Sequence, residues 1–215
     1  KTTTLYSFLH MMNSPHRKII TIEDPIEYHL DGITQVQVHP EIGLTFARGL
    51  RSFLRHDPDV MMVGEIRDSE TAETAIRVAL TGHLVFSTIH TNDAPSTPAR
   101  LLDMGAEPYL LASSLRCVIA QRLVRLLCAH CRERDARAYS PAEMGVPDSE
   151  FSAVFDSGDS LAVARGCPEC LHTGYRGRTA IFEIMLITPD VHDAILARAS
   201  ARSLRDSLGS GFGPS

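Results

Sequence analysis

Cys128-x-x-Cys131 and Cys167-x-x-Cys170 have the spacing of two metal knuckles. Together they offer four thiolates, the donor set of tetrahedral structural Zn²⁺, which leaves no coordination position open. Residues 132–166 between the knuckles exceed the usual ribbon spacing, so a long excursion is expected to close on the metal; a redox role for either pair is the competing reading. Lys1-Thr2-Thr3-Thr4 matches the end of the phosphate loop G-x-x-x-x-G-K-[ST]. In that motif the lysine reaches the β- and γ-phosphates and the next hydroxyl ligates Mg²⁺, at a helix N-terminus whose amides favour anions. The loop's glycines do not precede Lys1, and KTTT taken alone also fits an ordinary exposed helix start.

Acids stand where apolar runs stop. Asp59–Glu65 (DVMMVGE) predicts a buried strand ending in Glu65, which can hold Mg²⁺ through water or polarise an attacking water. Gly64 occupies the place where many P-loop enzymes carry Asp; the plainer reading is that Glu65 begins a helix and complements its dipole. Glu23, Asp24 and Glu27 collect three carboxylates after another apolar run. A metal–phosphate site is one physical reason to gather them, and a solvated acidic turn is the other. His83 and His90 bracket a further run at opposite pleat parity, so one regular strand cannot bring both to a single metal. His90, at the carboxyl end, is the active-site candidate.

The elements that must carry these residues alternate between strand and helix, the pattern of a parallel α/β sheet. Helices are predicted over Lys1–Met12, from an N-cap at Thr45, over Ser69–Thr81, near Pro95–Met104, over Tyr109–Leu127 and around Pro189–Ala199. The Thr45 helix is expected to turn Phe46, Leu50, Phe53 and Leu54 inward and Arg48, Arg51 and Arg55 outward. Strands are predicted at Lys18–Glu23, Thr34–His39 (a short edge strand), Val60–Val63, His83–His90 and Gly174–Glu183. Cys117 is expected to pack within the apolar helix, Ala129–Gly166 to be loop-rich, and Gly209–Ser215 to form a flexible tail.

Composition narrows the function classes. The 215 residues, 44% hydrophobic and 22% charged, suit one α/β core with a small appended module. A net charge of −5 without a basic block argues against nucleic acid. The apolar runs Ile19–Ile22 and Val60–Val63 fall far short of the ~20 residues that span a bilayer. Cysteines in knuckles rather than in a disulfide framework suit a reduced cytosolic protein. A first residue other than Met suggests a fragment of a longer chain.

Read together, KTTTLY (Lys1–Tyr6), ITIEDPIEY (Ile20–Tyr28), LRSFLRHDPDVMMVGEIRDSETA (Leu50–Ala72) and GHLVFSTIHTNDA (Gly82–Ala94) resemble the Walker A, Asp box, Walker B and His box of bacterial secretion ATPases. QRLVRLLCAHC, GCPEC and TGYRGR resemble the tetracysteine zinc module of the GspE/PilB members, those of type II secretion and pilus extension; pilus-retraction members lack it. The likeness covers roughly residues 1–200. It implies a RecA-like P-loop NTPase core over 1–127, a zinc module over 128–173, a returning strand and C-terminal helices over 174–208, and a tail over 209–215. It further implies ATP, Mg²⁺ and Zn²⁺ as cofactors and a homo-hexamer on the cytoplasmic face of the inner membrane. Partners would be inner-membrane platform and cytoplasmic-domain proteins of the secretion machinery. Carried over by position, Lys1 contacts phosphate with Thr3 beside it, Thr2 ligates Mg²⁺, and Glu65 is the catalytic acid. Glu23 and Asp24 belong to the Asp box, His83 and His90 to the His box, and Arg51, Arg55 and Arg178 approach nucleotide phosphates in the ring. The last three also read as solvated charges. The expected activity is ATP hydrolysis driving pseudopilus assembly and protein export, and pilus extension is the neighbouring alternative. A zinc-stabilised binding module without catalysis is the alternative from another class. Without the glycines before Lys1 the isolated chain is expected to hydrolyse little ATP, and the ending after Leu208 reads as truncated or frame-altered.

Overall fold

The computed structural model describes residues 1–135 and 161–208. It divides into two compact units, residues 1–121 with 182–215, and residues 122–181.

In the first unit β1 (Ile19–Glu23), β2 (Thr34–Gln37), β3 (Val60–Val63) and β4 (Leu84–Ser87) form one parallel sheet in the order β2-β1-β3-β4. β1 and β3 are central and buried at every position, as β-branched and apolar runs covered on both faces must be. Pleat parity sorts their side chains. Ile19, Val60 and Met62 meet Tyr6 and Leu9 of α1 (Thr2–Met12) on one face. Ile20, Ile22, Met61 and Val63 meet Leu50 and Phe53 of α2 (Phe46–Phe53) and Ala75 and Val78 of α3 (Ser69–Leu80) on the other. Thr21 and Glu23 share parity with Ile19, so the acid that ends β1 faces α1.

Helices α2 and α3 start where a side chain takes an orphan amide. Thr45 accepts from the Arg48 amide, and Asp68 Oδ1 accepts from the Thr71 amide at 2.7 Å. Gly49 sits where α2 crosses β1: a Cβ there would lie 2.1 Å from Ile22 Cδ1. α4 (Ser96–Asp103), α5 (Pro108–Ser114), α6 (Pro189–Leu196) and α7 (Ala201–Ser207) add a third apolar core with the far side of α3, through Ala72, Ile76, Leu101, Leu111, Ile195 and Leu204.

The predicted helix over Tyr109–Leu127 is corrected. It stops at Ser114, and Cys117–Leu127 is a strand, β5, paired with β8 (Tyr175–Leu186). The run CVIAQRLVRLL mixes β-branched residues with arginines, and pairing with a partner distant in sequence decides its state. Cys117 is accordingly exposed on a strand. Leu54 also points outward, because the chain leaves α2 at Phe53 for a 3₁₀ turn. β4 is shorter than the predicted His83–His90 run, so both histidines lie outside it.

The second unit contains β6 (Glu133–Arg134) and β7 (Ala162–Val163), an antiparallel pair. The loop-rich reading of 129–166 falls in part on residues 136–160, which with the expected tail 209–215 lie outside the described residues. Among the described residues no helix is long and apolar enough to cross a membrane.

Candidate functional site

Three strand ends and one helix start meet in the first unit. Lys1 is the N-cap of α1, and no side chain caps the first-turn amides that Thr2 and Thr3 open. Its Nζ donates to the Ile89 carbonyl at 2.7 Å. The next residue, His90, places Nε2 3.5 Å from Glu65 Oε2. Glu65 follows β3 and is largely enclosed, and Arg67 Nε lies 2.6 Å from the same carboxylate oxygen. The junction is stitched by backbone: Gly64 donates to the Ile22 carbonyl at 2.8 Å, Ile66 to the Thr88 carbonyl at 2.8 Å, and Thr88 Oγ1 to the Gly64 carbonyl at 2.8 Å. A lysine, a histidine and a strand-end acid are thus fixed at the carboxyl ends of β3 and β4, where ligands of open α/β sheets bind.

The acids after β1 separate. Glu23 is buried, and its carboxylate accepts from Tyr6 Oη, from Thr21 Oγ1 at 2.5 Å and from Gln35 Nε2 at 3.1 Å. Burial, and then the Glu23 charge, push the Tyr6 phenol up, so it stays a donor. Asp24, next along and exposed, is joined to Pro25 by a cis peptide and adds its field to Glu65 in raising the Arg67 guanidinium. Spacing predicted one carboxylate cluster; β1 parity turns Glu23 inward against α1 and leaves Asp24 outside.

His83 stands at the opposite end of β4 from His90. Its Nδ1 lies 2.9 Å from Thr81 Oγ1, at the close of α3. Arg51 pairs with Glu70 of α3, and Arg55 donates to the Arg51 carbonyl at 3.4 Å, so neither joins Lys1, His90 and Glu65 within one chain. Arg178 lies exposed on β8 in the second unit. The sequence reading gave no role to Tyr6, Gln35 or Arg67. Arg67 was recoverable from its place in GEIRD, two residues after the acid, whereas Tyr6 and Gln35 come to Glu23 only through packing.

The loop after His90 has its own fastening. Asp93 Oδ1 accepts the Ser96 amide at 2.9 Å, and Glu183 Oε2 accepts the Ala94 amide at 2.7 Å. Burial raises the Asp93 carboxyl, but the Ser96 hydrogen bonds and the Arg205 guanidinium outweigh it and hold the group below the usual range.

In the second unit the four knuckle cysteines converge, with all four Sγ atoms within 4.8 Å of one another. Cys128–Cys167, Cys131–Cys170 and Cys167–Cys170 Sγ separations are 3.9, 3.8 and 3.8 Å. A tetrahedron with Zn–S of about 2.3 Å has edges of roughly 3.8 Å, so the thiols fit that ion. The amides of Gly166, Cys167 and Gly174 point at the sulfurs of Cys131, Cys170 and Cys170, at 3.3, 3.2 and 3.2 Å. Gly166 and Gly174 both have positive φ, and a Cβ on either would strike backbone or Cβ atoms of His172 or Ala164 within 2.7 Å.

The sequence matches one family profile, Type II/IV secretion system protein, over residues 1–210. The chain belongs to that family. It is 51% identical over 212 residues to the type II secretion system ATPase E of Vibrio cholerae, covering 97% of this chain and 40% of that protein. It is 48% identical over 207 residues to the type IV pilus assembly ATPase PilB of Myxococcus xanthus, covering 95% of this chain and 36% of that protein. The chain therefore spans about two fifths of the relatives it matches. Among solved structures, the pilus retraction motor PilT with bound ADP aligns at TM-score 0.65 and 30% identity, over 97% of this chain and 49% of that one. The Legionella pneumophila ATPase DotB shares the fold at TM-score 0.63 and 24% identity, over 97% of this chain and 47% of that one. The α/β fold with a parallel sheet is common to this family member and those ATPases.

Proposed function

We propose that this chain is the catalytic core of an ATP-hydrolysing motor of type II secretion, coupling hydrolysis to pseudopilus assembly and protein export. The observation that carries the proposal is the convergence of Lys1, His90 and Glu65 at one sheet end, in a chain half identical to type II secretion ATPases. In this reading Lys1 and the first-turn amides of Thr2 and Thr3 bind the nucleotide phosphates at the positive end of α1. The Thr2 hydroxyl is placed to ligate Mg²⁺, whose chemistry would be to neutralise phosphate charge. Glu65, enclosed and flanked by the Arg67 guanidinium and the His90 ring, orients and polarises the attacking water, and His90 keeps the carboxylate turned to the phosphates. Glu23 supports the site from within through Tyr6, while Asp24 presents the exposed charge of the Asp box. Arg51, Arg55 and Arg178 serve a neighbouring subunit of a homo-hexamer. Such a motor works in the cytoplasm against the inner membrane, on platform and cytoplasmic-domain proteins of the secretion machinery.

Cys128, Cys131, Cys167 and Cys170 hold one structural Zn²⁺ in a module over 128–173, and four thiolates leave it no catalytic position. Pilus extension is the second reading, favoured by the 48% identity to PilB.

In the intact protein, Glu65→Gln is expected to cut steady-state Mg-ATP hydrolysis by on the order of 100-fold. Equal turnover by wild type and variant would sink the motor reading and leave the zinc-stabilised binding module.

A further inference from the structure

The loop that carries His90 is held from behind by three charged groups that lie outside the Lys1–Glu65 cluster. Arg205, on α7, places Nη2 2.9 Å from Asp93 Oδ2 and 3.8 Å from Glu183 Oε1. Glu183 in turn accepts the Ala94 amide. Two carboxylates this close repel unless a cation lies between them, and Arg205 is that cation. The tether is anchored at both ends: Leu204, next to Arg205, is buried in the helical core, and Ala94 is fully buried. Segment 89–94 is therefore fixed at its start by Lys1 and Glu65 and at its end by Glu183 and Arg205. This arrangement differs from an ordinary surface pair such as Arg77–Glu73, which joins two exposed side chains one turn apart on a single helix. Arg205 instead reaches an acid 112 positions earlier in the chain.

We propose that Arg205 is a positioning residue of the hydrolytic site: through Asp93 and Glu183 it fixes the 89–94 loop, so that His90 stays on Glu65 and the Ile89 carbonyl stays on Lys1. The proposal rests on the ATPase reading, and it makes the C-terminal helix α7 part of what sets the site's geometry. Small displacements of a catalytic constellation lower kcat steeply while binding contacts elsewhere persist.

The test uses the intact protein with Arg205→Gln, Arg205→Lys and, as a control for a lost surface pair, Arg77→Gln. Steady-state Mg-ATP kinetics, thermal melting and amide hydrogen exchange are measured on each. Arg205→Gln is expected to lower kcat about tenfold and to change KM less than about twofold, with melting close to wild type. Arg205→Lys should recover most of the loss, and the Ala94 amide should exchange faster in Arg205→Gln only. Unchanged exchange at Ala94, or a kcat no lower than that of Arg77→Gln, would overturn the proposal. So would a kcat loss that merely follows a lowered melting temperature and is not relieved by lysine. Failure of the ATPase reading shows itself separately, as equal turnover by wild type and Glu65→Gln; the clamp is then decided by Ala94 exchange alone.

Discussion

Glu23 and Asp24 are neighbours with opposite fates, and the difference is one step of a β pleat. Glu23 shares parity with Ile19 and Thr21 and is enclosed by Tyr6, Thr21 and Gln35, which meet its charge with three donors. Tyr6→Phe removes one of them from a buried carboxylate and is expected to lower unfolding stability by ~1–3 kcal/mol, read from urea denaturation. Asp93 supports a pH prediction. Its folded pKa lies below the unfolded value, so its contribution is fully present above about pH 4 and is lost as pH falls through the lower folded value. Denaturation of wild type and Asp93→Asn should show a gap that is constant from about pH 6 to about pH 4 and closes below it. A gap that widened on acidification would contradict the assignment.

At the scale of elements, the sheet puts its chemistry at one end because all four strands are parallel, so that β3 and β4 deliver Glu65 and His90 side by side. That register depends on how closely α2 lies on β1. Gly49→Ala drives a methyl into Ile22, which is fully buried. Overpacking costs about 1–3 kcal/mol, while the helix gains up to about 1 kcal/mol from losing a glycine. A net loss of ~1–2 kcal/mol is expected in chemical denaturation, and a stabilised variant would show that α2 has room to shift. β5 carries apolar residues at spacings that suit a helix or a strand, and pairing with β8, far along the chain, settles its state.

At the scale of the molecule, the two units depend on different forces. The first is closed by apolar cores on both sheet faces; among the described residues, the second gathers few buried side chains beyond Cys128 and Cys170 around the thiols. Metal-dependent folding is expected where the apolar core is small. Metal analysis should give about one Zn²⁺ per chain, and a strong chelator should raise amide exchange across residues 122–181 while leaving β1 and β3 protected. Loss of protection in both units together would show that the metal supports the whole fold.

Legible in the residues alone were the α/β class, the helix cap at Thr45, the buried strands β1 and β3, the strand-end acid Glu65 and the four cysteines. These are local: periodicity, capping chemistry and motif spacing act over a few residues, and the family likeness rests on the same runs. Which of those residues meet follows from the folded arrangement. It turned Glu23 inward, kept Arg51 on Glu70, and brought Arg205 to Asp93 across about half of the chain. Such meetings follow from pleat parity, strand order and the packing of helices distant in sequence, none of which is written in the spacing of a single motif.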